Sequence, residues 1–288
     1  LLNDLLFATR PLVYNRSSNP LNSERDFMPL FFFPIGDDNQ GRTIKPVVNY
    51  ALLAINIAVF FLLQSGPKGD QFTMAFSTVP KEIVTGEDIV TDPEYIEDPA
   101  TGQVYEMPGL EPTPIPVWGT LLTAMFMHGS IMHLLGNMLY LWIFGDNIED
   151  EMGHGRYLAF YVLCGIIAGL SHVLLNAGGP SALVPCLGAS GAIAGVLGGY
   201  LMRHPTRGVH VIAIRVVITL PAWVVVGMWF VMQVIGGLGT LGQEGGGVAY
   251  AAHIGGFIAG LALVTLFVKA KPNSNPTRQD DIDHWQQS

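Results

Sequence analysis

Six long apolar runs limit what this chain can fold into. They fall at about residues 47–63, 131–148, 157–175, 187–202, 221–238 and 248–268, close to the roughly 17–25 residues a helix needs to cross a bilayer. Inside hydrocarbon the backbone must satisfy its own hydrogen bonds, so runs of this length select helices. The expected fold is an all-α membrane protein, a bundle of six transmembrane helices. A further apolar stretch, 209–220, holds His210 and Arg215 and runs into Pro221. It is expected to be a short interfacial segment, not a seventh span. Residues 117–127 end at His128-Gly129-Ser130 and are expected to lie at the membrane surface before the second span.

Composition points the same way. Of 288 residues, 50% are hydrophobic and 13% charged, where a soluble domain carries about a quarter charged residues. The net charge is -9, with acids gathered in residues 82–111, so there is no basic surface to neutralise nucleic-acid phosphates. The lipid bilayer, not nucleic acid, is the expected partner. Cys164 and Cys186 suit neither a disulfide framework nor a metal site, and no metal or other cofactor is expected.

Basic residues orient the bundle. With six spans, 12 of the 14 Lys and Arg residues fall on one side and only Lys68 and Lys81 on the other. Because Lys and Arg near span ends prefer the cytoplasm, both termini are expected there, and the acidic, Pro-rich segment 66–116 outside. The expected organisation is a cytoplasmic N-terminal segment 1–45, a six-helix domain 46–270 and a cytoplasmic polar tail 271–288. Residues 1–27 read as a leader or an incomplete start. The membrane is expected to be the inner membrane of a prokaryote. The oligomeric state stays open.

Polar side chains inside spans are costly and therefore informative. They are few: His133 and Asn137 in the second span, His172 in the third, Ser190 in the fourth, Gln233 in the fifth and His253 in the sixth. Spans two, four and six run in one direction, and His133, Ser190 and His253 lie near the external start of each, within roughly 10 Å of one level at 1.5 Å per residue. His133 and Asn137, spaced i and i+4, share a face. Ser190 stands in Gly188-Ala189-Ser190-Gly191 at a helix start, where unpaired N–H groups favour a developing negative charge. His253 can take the serine proton as a general base.

Small residues let these helices approach: Ser190, Ala194 and Gly198 form one stripe on the fourth span, Gly191, Gly195 and Gly199 the adjacent one, and the sixth span offers Ala252, Gly256 and Gly260. Such stripes occur in any membrane bundle. A lone Ser usually bonds its own backbone and a lone His often bridges helices; the conjunction of four groups at one depth points to chemistry. His172 and Gln233, without such company nearby in sequence, read as packing or hydration residues, and Trp118, Trp142, Trp223 and Trp229 as interfacial anchors or packing.

Three motifs, His128-x4-His133-x3-Asn137, GASG at 188–191 and AHIGGFIAG at 252–260, stand in this order on six spans. FPIGDDN at 33–39, WIFGDNIEDEMGHGRY at 142–157 and PAWVVVGMWFVMQ at 221–233 add weaker support. Together they closely resemble the rhomboid intramembrane proteases. The resemblance implies that Ser190 is the nucleophile and His253 the base, with no Asp completing a triad. It implies that His133 and Asn137 support an oxyanion hole with the Ser190 backbone N–H, and that His128, Gly188 and Gly191 support the motif. The implied substrates are transmembrane helices of other membrane proteins, admitted beside the fifth span. Gly119 and Ala194 depart from some members, which carry Arg and a histidine-packing Tyr at those places. The glycine-rich segment 236–247 is expected to act as a lid.

Competing readings are a histidine-lined channel or transporter and a catalytically dead relative acting as a chaperone. A pore has no need of GASG beside its histidines, and the chaperone reading must explain why all four polar groups are retained. Neither H-E-x-x-H nor a pair of intramembrane aspartates is present, which removes the metal and aspartyl routes.

Overall fold

A computed structural model describes residues 33–39, 41–97, 102, 104–213, 216–239 and 249–269. The N-terminal leader, the C-terminal tail and residues 240–247 of the expected lid lie outside them. In chain order the described elements are β1 (Phe33–Asp37), α1 (Val47–Gln64), α2 (Gly69–Phe76), α3 (Pro80–Thr85), β2 (Glu94–Glu97), β3 (Val104–Met107), a short apolar helix α4 (Val117–Phe126), α5 (Ile131–Met152), α6 (His154–Asn176), α7 (Ser190–Arg203), β4 (Gly208–Ala213), β5 (Val216–Pro221), α8 (Ala222–Gly239) and α9 (Tyr250–Phe267). The last six residues of α1, Val59–Gln64, are wound as a π-helix.

Four of the described helices, α1, α6, α8 and α9, are long and apolar enough to cross a membrane. Of the other two expected spans, α5 has 22 residues but ends in the acidic run that holds Asp146, Glu149, Asp150 and Glu151, and α7 has only 14 residues.

The described residues are mostly helical, as expected, and short strands accompany the helices. Strands β1, β4 and β5 form an antiparallel sheet in that order, and β2 and β3 a separate hairpin. The stretch expected as an interfacial segment is therefore the β4–β5 hairpin. Its Val, Ile and Thr residues suit a pleated, half-buried surface, and β1 completes it by pairing Phe33 with Ile212 and Asp37 with Val209.

α7 is the centre of the bundle, buried at every residue from Gly191 to Tyr200. It lies between α6 and α9 because glycine removes the side chains that would hold them apart. A methyl group at Gly191 would come within 2.6 Å of the Ala168 methyl, one at Gly195 within 2.4 Å of Cys164 Cβ, and one at Gly198 within 2.3 Å of the Phe257 carbonyl oxygen. Neither Cys164 nor Cys186 forms a disulfide.

The acidic run at the end of α5 ties the bundle to the sheet side. Glu149 accepts the backbone N–H groups of Val48 (2.9 Å) and Asn49 (2.7 Å), which satisfies the orphan donors at the start of α1. Asp150 takes the N–H groups of Thr43 and Ile44, Glu151 pairs with Arg203 at 2.8 Å, and Asp146 with Arg42. Asp37, on β1, accepts the Tyr200 hydroxyl at 2.5 Å and the Asn147 amide at 2.9 Å.

Burial raises the Asp37 carboxyl to about 6, with Asp146 adding to the shift and the Tyr200 hydrogen bond opposing it. In the unfolded chain this carboxyl ionises near 3.9. The native state therefore holds the proton more tightly, and the resulting stability is present below about pH 4 and lost as pH rises through about 6. The melting temperature in detergent is expected to fall over that window, and Asp37→Asn to flatten this part of the profile. Parallel profiles for the two proteins would remove Asp37 from the account.

The first part of segment 66–116 packs on the bundle. Ile83 of α3 is buried with Leu121 of α4 and Val173 of α6, and Thr78 exchanges backbone hydrogen bonds with Cys186 just before α7.

Candidate active site

Ser190 is the first residue of α7, so its hydroxyl lies beside backbone N–H groups that no carbonyl within the helix can reach. The turn that delivers it depends on Gly188, whose φ of 130° suits glycine. A methyl group at Gly188 would meet His133 Cε1 at 2.9 Å, His133 Nε2 at 3.0 Å and Ser190 Oγ at 3.6 Å. Glycine here leaves the imidazole and the hydroxyl facing one common space.

His253, near the start of α9, places Nε2 2.7 Å from Ser190 Oγ and is 1% exposed. Its other nitrogen, Nδ1, lies 2.8 Å from Oε1 of Gln233 on α8. An amide oxygen only accepts, so the proton sits on Nδ1 and the Nε2 lone pair accepts the Ser190 hydroxyl. The helices are held at this spacing by main chain: methyl groups at Gly256 and Gly260 would lie 2.1 and 1.9 Å from the Gly191 and Gly195 carbonyl oxygens.

On α5, the Ser130 side chain caps the helix by accepting the N–H of His133. His133 Nδ1 accepts the Gly129 N–H at 3.4 Å, which assigns the ring proton to Nε2, on the Gly188 side. Asn137 donates one amide hydrogen to the His133 carbonyl at 2.9 Å and lines a cavity with Ser190, Gly136, Tyr140, Ile193, Leu197 and Trp229. At about 20 Å³ this cavity has the volume of roughly one water.

Residues 116–270, more than half of the chain, match the family model described as the Rhomboid domain. The chain belongs to the rhomboid family. It is 28% identical over 239 residues to the yeast (Saccharomyces cerevisiae) Rhomboid protein 1, mitochondrial, covering 82% of this chain and 58% of that protein. It is 28% identical over 221 residues to the rhomboid protease GluP of Bacillus subtilis, covering 73% and 35%. It is 29% identical over 153 residues to the rhomboid protease GlpG of Salmonella newport, covering 51% and 47%. The chain thus spans between about a third and three fifths of the length of these rhomboid relatives.

Within this rhomboid, the residues singled out by sequence divide into those that meet and those that stand apart. Ser190 is the common neighbour: it bonds His253, shares a cavity wall with Asn137 and lies with His133 beside Gly188, while Gly191 faces Ala168 and Ala252. His128 is buried and packs edge-on against the His133 ring, 5.0 Å between centroids. Its backbone is clamped by Gln64 at the end of the π-helix, through its N–H at 2.9 Å and its carbonyl at 3.3 Å. His172 lies beside Asn176 of its own helix, Nδ1 to Nδ2 3.4 Å.

Two residues that the sequence reading left outside the site touch His253: Gln233, read as packing or hydration, and Trp229, read as anchor or packing. The Trp229 and His253 ring centroids are 6.0 Å apart. The depth argument applied to spans two, four and six reaches Gln233 as well, once it is counted from the far end of a helix that runs the other way.

Proposed function

We propose that this rhomboid is an intramembrane serine endopeptidase that cuts transmembrane helices of other membrane proteins with Ser190 and His253. The observation that carries the reading is the 2.7 Å contact between Ser190 Oγ and His253 Nε2 at the start of a buried helix. In the reaction Ser190 Oγ attacks the scissile carbonyl carbon as its proton passes to His253 Nε2. The oxyanion that forms faces the N–H groups at the start of α7, the Nε2–H of His133 and the amide of Asn137. The C–N bond then breaks as His253 returns its proton to the leaving amine. Water, deprotonated by His253, attacks the acyl ester, releases the carboxylate product and restores the Ser190 hydroxyl.

The proposal includes six spans, α1 and α5 to α9, within a domain 46–270, with both tails in the cytoplasm and 66–116 outside. It follows the distribution of basic residues and the pairing of Glu151 with Arg203 at one end of α5 and α7. The proposed home is a prokaryotic inner membrane; the similarity to a mitochondrial yeast protein makes an organelle the alternative.

The test is cleavage of a transmembrane substrate by the purified protein, with fluorophosphonate labelling in parallel, beside Ser190→Ala. Wild-type cleavage and labelling, both lost in the variant, are expected. A folded wild type inert toward both would overturn the reading. Gly188→Ala combines a strained backbone with contact on His133, and strain at such a position costs about 1–3 kcal/mol. Its turnover is expected to fall about tenfold or more, read as initial rate beside a melting curve.

A further inference from the structure

Behind the Ser190–His253 pair, the His253 Nδ1 meets the side-chain amide of Gln233, and a histidine base works only if its lone pair points at the nucleophile. We propose that Gln233 supplies this function as the positioning residue of the base, accepting the His253 Nδ1 proton and so fixing the tautomer and orientation that Ser190 needs. The inference rests on the protease reading above.

Gln233 is the sole hydrogen-bonding side chain of α8 apart from its tryptophans. It is 3% exposed, and a buried amide in an apolar helix is costly unless its bonds are made. Its Oε1 makes one with His253 Nδ1 at 2.8 Å, on the side of the ring opposite Ser190 Oγ at 2.7 Å. One turn earlier on the same face of α8, Trp229 stands against the ring, 6.0 Å between centroids at 40°. One helix therefore holds the base from two directions, by a hydrogen bond along the ring plane and by an aromatic wall beside it. Because the bond is to a neutral amide, it fixes which nitrogen carries the proton without adding a charge to hold the imidazolium.

The experiment compares wild type, Gln233→Leu and Gln233→Glu in one detergent. It reads kcat and KM on a transmembrane substrate, the rate of fluorophosphonate labelling, and the nitrogen spectrum of the ¹⁵N-histidine-labelled protein. Leucine keeps the volume and removes the acceptor. It is expected to lower kcat and labelling about 10- to 100-fold, the usual effect of losing a residue that orients a histidine. KM should stay within about twofold, and the fixed Nδ1–H signal of His253 should be lost. Glutamate restores an acceptor; it should recover part of the rate and move the acid limb of the kcat profile to higher pH, because a carboxylate favours the imidazolium. If Gln233→Leu keeps wild-type kcat and the His253 signal, or if its loss follows a lowered melting temperature with no recovery in Gln233→Glu, Gln233 is a packing residue and the proposal falls alone. If the wild type itself neither cleaves nor labels, the protease reading falls and takes this proposal with it.

Discussion

His253→Ala is expected to lower turnover of a transmembrane substrate by about 10³-fold or more while the protein stays folded. General-base catalysis by a positioned side chain contributes roughly 10²- to 10⁴-fold. In the proposed mechanism the base also returns the proton to the leaving amine, so both half-reactions suffer. The ring is buried and bonded on both sides, to Ser190 and Gln233, so its removal also frees the hydroxyl to turn away. The measurement is initial rate together with fluorophosphonate labelling. Labelling at the wild-type rate in His253→Ala would mean that the serine is activated by some other group, and the assignment of the base would be abandoned.

The second large effect is expected from Gly260→Ala, the addition of one methyl group. Most core positions absorb an overpacked carbon by turning a neighbouring side chain, at about 1–3 kcal/mol. At Gly260 the new carbon would lie 1.9 Å from the Gly195 carbonyl oxygen, 2.6 Å from its carbon and 2.8 Å from its Cα. None of these atoms can rotate away, so α9 must move off α7, carrying His253 from Ser190. The variant is expected to lose most activity and to melt well below wild type. Gly227→Ala, where nothing lies within 4 Å of the added carbon, serves as control. It should be neutral or slightly stabilising, since alanine exceeds glycine by about 0.5–1 kcal/mol within a helix. Equal melting temperatures for the two variants would show that α7 and α9 are not locked through their backbones.

Much of this was legible in the residues because apolar spans make polar side chains conspicuous. His133, Asn137, Ser190 and His253 stand out in that way, and GASG marks the tight start of α7. The sheet was less visible. The 209–220 stretch is as apolar as a short span, and its enrichment in β-branched residues becomes decisive only with β1, whose partner strand lies more than 170 residues along the chain. Gln233 was seen but not placed, because its bond to His253 joins two helices of opposite direction. The acidic run on α5 looked like a polar span end, whereas Glu149 and Asp150 bind backbone N–H groups about a hundred residues away in sequence.

One dimension of α7 bears on how this protein sits in lipid. Fourteen residues make a helix of about 21 Å, against a hydrocarbon layer of about 30 Å. In the proposed arrangement the Arg203–Glu151 pair marks the polar boundary at its last turn, so the shortfall of about two turns lies at the Ser190 end. In the proposed six-span arrangement this gap falls within protein, because α7 is buried from Gly191 to Tyr200. In that arrangement a thicker bilayer would deepen the layer above Ser190 without stretching the helix beneath it.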